Sequence, residues 1–306
     1  MKSISYSDGH HRPQLEARYF ERMASSLGDK QRIIGYLPDF EGASVLDVGA
    51  GGGELSNALS GLGYEVTSID ASDDAVMRLQ DKYPHLTTHQ LLANHAHSIG
   101  DEKFDAIVCS SILHEVFSYG DDQHSKGEYA SLDSAFESFR RVLKSGGKLI
   151  IRDGVLPENW QERGTITLGE EHDSSVVETY LKMCPFSNGH AGHETGSIVQ
   201  LNKIGDKTYE GNARSLMEFA YTYTWGLESY PRETQELYGV KTLKEYEDLL
   251  ASHGFTVTEA YEYLQPGYPE NLKEKMTLNM SGKINEWFSS NAIWVAVKQV
   301  KPRRTP

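Results

Sequence analysis

The chain has 306 residues, 44 of them acidic against 30 Lys and Arg, a formal net charge of −14 and two cysteines. That length holds one large domain or two modest ones around a buried core, and the acidity weighs against broad attraction to nucleic-acid phosphates. With no apolar run of membrane-span length, no basic-then-apolar leader and only Cys109 and Cys184, the expectation is a cytoplasmic protein without a disulfide framework.

In chain order, Leu15, Tyr19, Met23, Ile33, Ile34 and Leu37 fall at helical spacing. They predict two helices split near Gly28 and stopped by Pro38, an N-terminal helical cap over residues 1–38. "SVLDV" (44–48) reads as a buried strand, and "GELSNALSGLG" (53–63) as a helix ending in glycine. "EVTSID" (65–70) is a second strand. "SDDAVMRLQDKY" (72–83) is a helix with Ser72 as N-cap and acids in its first turn. "LTTHQLL" (86–92) and "FDAIVCSSIL" (104–113) are the third and fourth strands. "GEYASLDSAFESFRRVLKSGG" (127–147) is an amphipathic helix closed by a glycine pair, and "KLIIRDGV" (148–155) a fifth strand. This rhythm predicts an α/β fold, a doubly wound, mostly parallel sheet.

The rhythm breaks over 155–239, which reads as an inserted substrate lid. There "SIVQLNKIGDKTYEG" (197–211) suggests a hairpin, and "ARSLMEFAYTYTW" (213–225) fits a helix or a strand. The aromatics Tyr221, Tyr223, Trp225 and Tyr230 form the lid's own core or wall a pocket, with the core favoured. Over 240–300 the pattern resumes with "TLKEYEDLLASHG" as a helix and "FTVTEAYEYL" and "NAIWVAVKQV" as a closing strand pair. Segments 39–154 and 240–300 therefore make the core.

The stretch "VLDVGAGGGELS" (45–56) joins the first strand to the first helix, at the sheet edge where ligands bind. A dinucleotide fingerprint needs G-x-G-x-x-G. From Gly49 the sequence reads G-A-G-G-G-E, so Glu54 stands in the last glycine's place. Acid-x-G-x-G-x-G is filled completely by Asp47, Gly49, Gly51 and Gly53. That pattern resembles motif I of the class I S-adenosylmethionine-dependent methyltransferases. "VTSIDAS", "FDAIVCSSILHEV", "VLKSGGKLII" and the closing strand pair resemble later parts of the same Rossmann-like core, covering roughly 40–155 and 240–298.

The resemblance implies a seven-stranded sheet, S-adenosylmethionine as cofactor and a methyltransferase activity. It implies that Asp47, Gly49, Ala50, Gly51, Gly53, Asp70 and Ala71 hold the cofactor, with Asp70 on the ribose hydroxyls; a carboxylate can accept two hydrogen bonds there. Many members carry an acid after the third strand, facing the adenine amino group. This chain has "LLANHAHS", with Asn94 or His95 as the substitute acceptor. Ser110 after the fourth strand and Tyr19 on the N-terminal segment, with Arg18 beside it, complete the implied cofactor shell.

Methyl transfer needs alignment, exclusion of water and, for a protonated nucleophile, a base. The implied methyl position lies by the loop after the fourth strand, where His114 is the best base because its ordinary pKa is near neutral. Glu115 could orient it or bind a cationic substrate group, and Asp153, which closes the fifth strand with Arg152 and should face the cleft, is a further catalytic candidate. Tyr119, Arg152, His190 and His193 are the candidate substrate contacts. Cys184, His190, His193 and Glu194 lack a full zinc-ligand spacing, so no metal is expected. A small-molecule acceptor is favoured, with no membrane partner. An RNA or nucleotide methyltransferase using a basic strip of Arg140, Arg141, Arg152 and Arg163 is the alternative, and a non-catalytic cofactor-binding regulator a further one.

Overall fold

A computed structural model describes residues 27–190 and 197–300. The described residues divide into two compact units: 27–153, 245–261 and 293–300 form the first, and 154–190, 197–244 and 262–292 the second.

The first unit is built on a seven-stranded sheet. Its strands are β1 (Ser44–Val48), β2 (Glu65–Asp70), β3 (Thr87–Gln90), β4 (Phe104–Ser110), β5 (Leu143–Gly154), β9 (Phe255–Tyr263) and β12 (Asn291–Lys298). Their spatial order is β3-β2-β1-β4-β5-β12-β9. β1 pairs in parallel with both β2 and β4, so the winding reverses at β1 and leaves a crevice at the carboxyl ends of β1 and β4. The central strands are Val- and Ile-rich and buried on both faces, as a covered parallel sheet requires. The last two strands run opposite ways: Gly254 O accepts from Gln299 N, and Tyr263 O from Ser290 N.

The helices that follow the strands are α1 (Glu54–Gly61), α2 (Asp73–Lys82), α3 (Leu113–Tyr119), α4 (Ala130–Val142) and α7 (Leu243–Ser252). Ser72 caps α2 by accepting from Ala75 N at 3.4 Å. α4 buries Leu132, Ala135, Phe136, Phe139 and Val142, one stripe at helical spacing. It ends at Val142, earlier than the glycine pair suggests. Gly146 and Gly147 lie inside β5, where the register against β4 jumps between Phe104↔Leu143 and Ala106↔Lys148. The glycines thus form an irregularity within the strand and do not close the helix.

Of the N-terminal cap, only the end lies within the described residues. It is a helical turn, Leu27–Lys30, followed by a 3-10 stretch, Gln31–Tyr36. Gly28 sits inside that turn, and the helix expected before it lies outside the described residues. Leu37 is extended with ψ 161°, as the residue before a proline prefers.

The second unit carries an antiparallel sheet of β6 (Arg163–Leu168), β7 (Leu201–Lys203), β8 (Thr208–Asn212), β10 (Met276–Met280) and β11 (Lys283–Ile284), in the order β11-β10-β6-β8-β7. Its longer helices are α5 (Ser175–Met183), α6 (Ala213–Thr224) and α8 (Tyr268–Lys275). Residues 262–292, placed with the core on sequence, cluster here because β10 pairs with β6. The hairpin read from 197–211 is β7–β8.

The ambiguous stretch from Ala213 is helix α6, capped by Asn212, whose Oδ1 accepts from Ser215 N at 2.9 Å. It is buried on all sides from Ala213 to Tyr223. Its two charged residues, Arg214 and Glu218, are one helical turn apart and serve one segment: Arg214 donates to Gly239 O and Val240 O, while Glu218 accepts from Tyr238 N and Gly239 N. Tyr221, Tyr223 and Tyr230 are buried, and Tyr223 stacks on Phe219 at 5.7 Å, so these rings form the unit's core.

Candidate functional site

The glycine loop folds back on β2. Gly49 N and Ala50 N both donate to Ile69 O, and Gly51 N donates to Asp70 Oδ2 at 2.9 Å. Asp70 Oδ1 takes Ser72 N, also at 2.9 Å, so this carboxylate ties the loop to the start of α2. The glycines serve different purposes. At Gly49 (φ +70°) an added Cβ would lie 2.5 Å from Ile112, so close packing demands glycine there. At Gly51 (φ +54°) a Cβ would meet nothing within 4 Å. Gly51 therefore borders open space, which is where a ligand can lie against the backbone.

Asp47 lies beneath the loop, 2 % exposed, and does not line the cleft. A hydroxyl relay runs to it: Ser68 donates to Ser56, and Ser56 to Asp47 at 2.6 Å. Burial pushes the Asp47 carboxyl up to about 6, against the Ser56 hydrogen bond and the nearby Lys30 ammonium. Lys30 is half-buried, and burial together with Arg152 pulls its amine below the ordinary range. Glu54, whose charge spoils the dinucleotide pattern, is turned toward Lys82 at 2.8 Å.

The cleft is walled by Val48, Gly49, Asp70, Ala71, Leu91, Leu92, Ala93, Asn94, Ile112, Glu115, Val116, Gly120 and Asp121. Gly49, Asp70, Ala71, Asn94 and Glu115 are thus brought together. Asn94 is buried, its Nδ2 donates to Asp122 Oδ1 at 2.9 Å, and its Oδ1 has no partner among the described residues. His95 meets the same carboxylate through Nε2 at 3.0 Å. Ser110 is buried at the end of β4, its hydroxyl likewise without a partner among the described residues. An open backbone face at Gly51 and an unpaired buried acceptor at Asn94 fit a nucleoside with polar edges.

At the end of β5 stands a second cluster. Asp153 is fully buried; its Oδ1 takes His114 Nδ1 at 2.5 Å, and its Oδ2 accepts from Ile112 N and Leu113 N at 2.9 and 2.6 Å. One carboxylate thereby satisfies the first amides of α3 and orients the imidazole. Asp153 is thus an orienting partner of His114, and Glu115, the candidate for that role on sequence, lies on the cleft wall. In a neutral ring, an Nδ1 proton donated to the carboxylate leaves the lone pair on Nε2.

Arg152, 2 % exposed, donates through Nε to Asp29 at 2.9 Å, pairs with it again through Nη2, and reaches Ser111 Oγ at 2.6 Å. Three of the four arginines of the expected basic strip are in ion pairs, Arg141 with Asp101, Arg152 with Asp29 and Arg163 with Glu210. Tyr119 is half-buried on α3, with the Lys126 ammonium 5.6 Å from its ring. In the second unit His190 Nδ1 sits on Lys182 O at 3.0 Å, and the buried Cys184 thiol is pushed up to about 12. Tyr19, Arg18, His193 and Glu194 lie outside the described residues. Sequence reasoning missed Ser56, Asp29, Lys30 and Asp122. Only Asp122, in the turn "GDDQH", had a local signal.

Residues 46–151 match the family model described as "Methyltransferase domain". This stretch is a class I S-adenosylmethionine-dependent methyltransferase domain. The domain family implies S-adenosylmethionine as the methyl donor. The chain is 31 % identical over 163 residues to a ubiquinone biosynthesis O-methyltransferase of Glaesserella parasuis, covering 45 % of this chain and 63 % of that one. It is 34 % identical over 119 residues to an uncharacterized methyltransferase of Synechocystis, covering 39 % and 50 % respectively. The chain thus matches between half and two thirds of these relatives' length. A solved S-adenosylmethionine-dependent methyltransferase from Mesorhizobium loti shares the fold at TM-score 0.51 and 14 % identity, covering 88 % of this chain and 96 % of that one. Among the described residues no helix is long and apolar enough to cross a membrane.

Proposed function

We propose that this methyltransferase-family chain methylates a hydroxyl group of a small-molecule acceptor. The observation that carries this reading is the buried Asp153–His114 pair at the end of β5. A hydroxyl nucleophile has a proton to lose, and an imidazole held in one tautomer can take it at neutral pH. S-adenosylmethionine, when bound, supplies a methyl group on a cationic sulfur that a nucleophile displaces in line.

The chain's own residues divide the remaining work. Asp70 and the Gly51 backbone hold the ribose and methionine portions, with Gly49, Ala50, Gly53 and Ala71 shaping the loop, and Asn94 accepts from the adenine amino group. Asp153 keeps the Nδ1 proton of His114 in place, so Nε2 takes the acceptor's proton, and the buried carboxylate stabilises the imidazolium that results. Glu115, on the cleft wall, would supply negative charge near a bound sulfonium. The arginine ion pairs support a small acceptor over RNA, since paired guanidinium groups are poorly placed to collect phosphates. The O-methyltransferase name of the Glaesserella relative supports an oxygen acceptor.

Calorimetry with S-adenosylmethionine tests the reading first: the wild type binds, and Asp70→Ala weakens binding by roughly tenfold or more, as expected for the loss of two charge-assisted hydrogen bonds. On a panel of hydroxylated acceptors, His114→Ala lowers turnover by about 10²–10⁴ with cofactor affinity nearly unchanged. A wild type that fails to bind the cofactor refutes the proposal, and so does a His114→Ala variant with normal turnover.

A further inference from the structure

We propose that Asp122 locks the Asn94 amide in one orientation, so that the cleft takes a 6-aminopurine nucleoside and rejects the 6-oxo analogue. The inference rests on the reading of this cleft as the cofactor's nucleoside site.

Asn94 is 5 % exposed and sits at the start of a 3-10 turn, Ala93–Ile99, on the cleft wall. An amide side chain has one donor end and one acceptor end. An asparagine that can flip recognises an amino group and a carbonyl equally well. Here the flip is blocked. The Asp122 carboxylate lies 2.9 Å from Asn94 Nδ2 and 3.0 Å from His95 Nε2. The Asn94 hydrogen bond and His95 hold that carboxyl below its ordinary range despite partial burial, so it is ionised and can only accept. The atom of Asn94 facing it must be the NH2. Turning the amide over would set two acceptor oxygens against each other. Oδ1 is therefore the end left over, buried and without a partner among the described residues. A buried unpaired acceptor calls for a donor, which adenine's exocyclic amine is and hypoxanthine's O6 is not.

Asp122 is itself held by a built turn. Gly120 has φ +72°, and a Cβ there would lie 2.3 Å from His124 O. Asp121 Oδ1 accepts from Gln123 N and His124 N at 2.8 and 2.7 Å. Gly120 and Asp121 line the same cleft as Asn94, so the turn that walls the site also presents the residue that orients its reader. Asp122 is a positioning residue, with 45 % of its side chain exposed.

The experiment measures binding of S-adenosylhomocysteine and S-inosylhomocysteine to the wild type, Asp122→Asn and Asp122→Glu, with thermal melting of each variant as a control for folding. The wild type prefers the adenosyl compound by roughly 10²-fold or more, as sites built around one buried hydrogen bond do. In Asp122→Asn the new amide can donate to Asn94 Oδ1, freeing Asn94 to turn its NH2 to the ligand, and the preference falls to within about tenfold. Asp122→Glu, still an acceptor only, keeps most of the wild-type preference. A wild-type preference retained in Asp122→Asn overturns the inference, as does a wild type that binds both compounds equally. A wild type that binds neither overturns the cofactor reading and this inference with it.

Discussion

Asp47→Asn should make the protein more stable at neutral pH, although it removes the acid that opens the glycine pattern. Asp47 is 2 % exposed and its carboxyl is raised to about 6 by burial. In the unfolded chain the same group titrates near 3.8. Between about pH 4 and 6 the folded chain therefore keeps a proton that the unfolded chain has released. The stability contributed by this group is full below the unfolded value and is lost as the pH rises through the folded one. About two pKa units correspond to roughly 3 kcal/mol at pH 7 and above. Asparagine keeps the shape and still accepts from Ser56 Oγ, so the relay from Ser68 survives while the buried charge is gone. Urea unfolding of ligand-free protein from pH 4.5 to 8 reads the difference directly. The variant should gain about 1–3 kcal/mol at pH 8 and show a flatter profile across the window, with the two proteins converging toward the acid end. Equal stability at pH 8 with unchanged pH dependence would refute the claim that this carboxylate is ionised at a cost.

The other perturbations separate packing from ligand contact. Gly49→Ala should cost roughly 2–4 kcal/mol in urea unfolding, because its Cβ would meet Ile112 at 2.5 Å in a left-handed backbone. Gly51→Ala should cost only about 1 kcal/mol, since its Cβ enters open space, yet it should weaken S-adenosylmethionine binding more than tenfold by calorimetry. Asp153→Asn should move the His114 proton from Nδ1 to Nε2, visible in ¹⁵N NMR of the ring, and lower turnover by about 10⁴ through the wrong tautomer. Lys82→Met, which breaks the exposed pair with Glu54, should change stability by less than about 1 kcal/mol and leave cofactor affinity alone.

Much of this site is local in origin. The acid-and-glycine register of 47–53, the acid ending β2 and the strand–helix rhythm are contiguous patterns. They are legible because a strand's carboxyl end, a tight turn and a helix start must occur in that order. His114 was named as the base candidate by residue type alone. Its orienting partner was not: Asp153 is 39 residues away and meets it because β5 lies beside β4. Asp122 reaches Asn94 across 28 residues, and Asp29 reaches Arg152 across 123. No periodicity encodes such pairs, which exist only once the sheet order has set the strand ends side by side.

The same division holds for the glycines and for the second unit. By itself the sequence determined a βα core with a cofactor-type loop, because hydrophobic period and turn chemistry act over neighbouring residues. It also marked where that period stops, near residue 155. Only the tertiary structure decided that Gly49 answers to Ile112 while Gly51 faces open space, that residues 262–292 join β6 in a second sheet, and that Asn94 presents its carbonyl end. Each of these depends on which distant backbone or charge arrives alongside, and proximity in space is fixed by the packing of the whole chain.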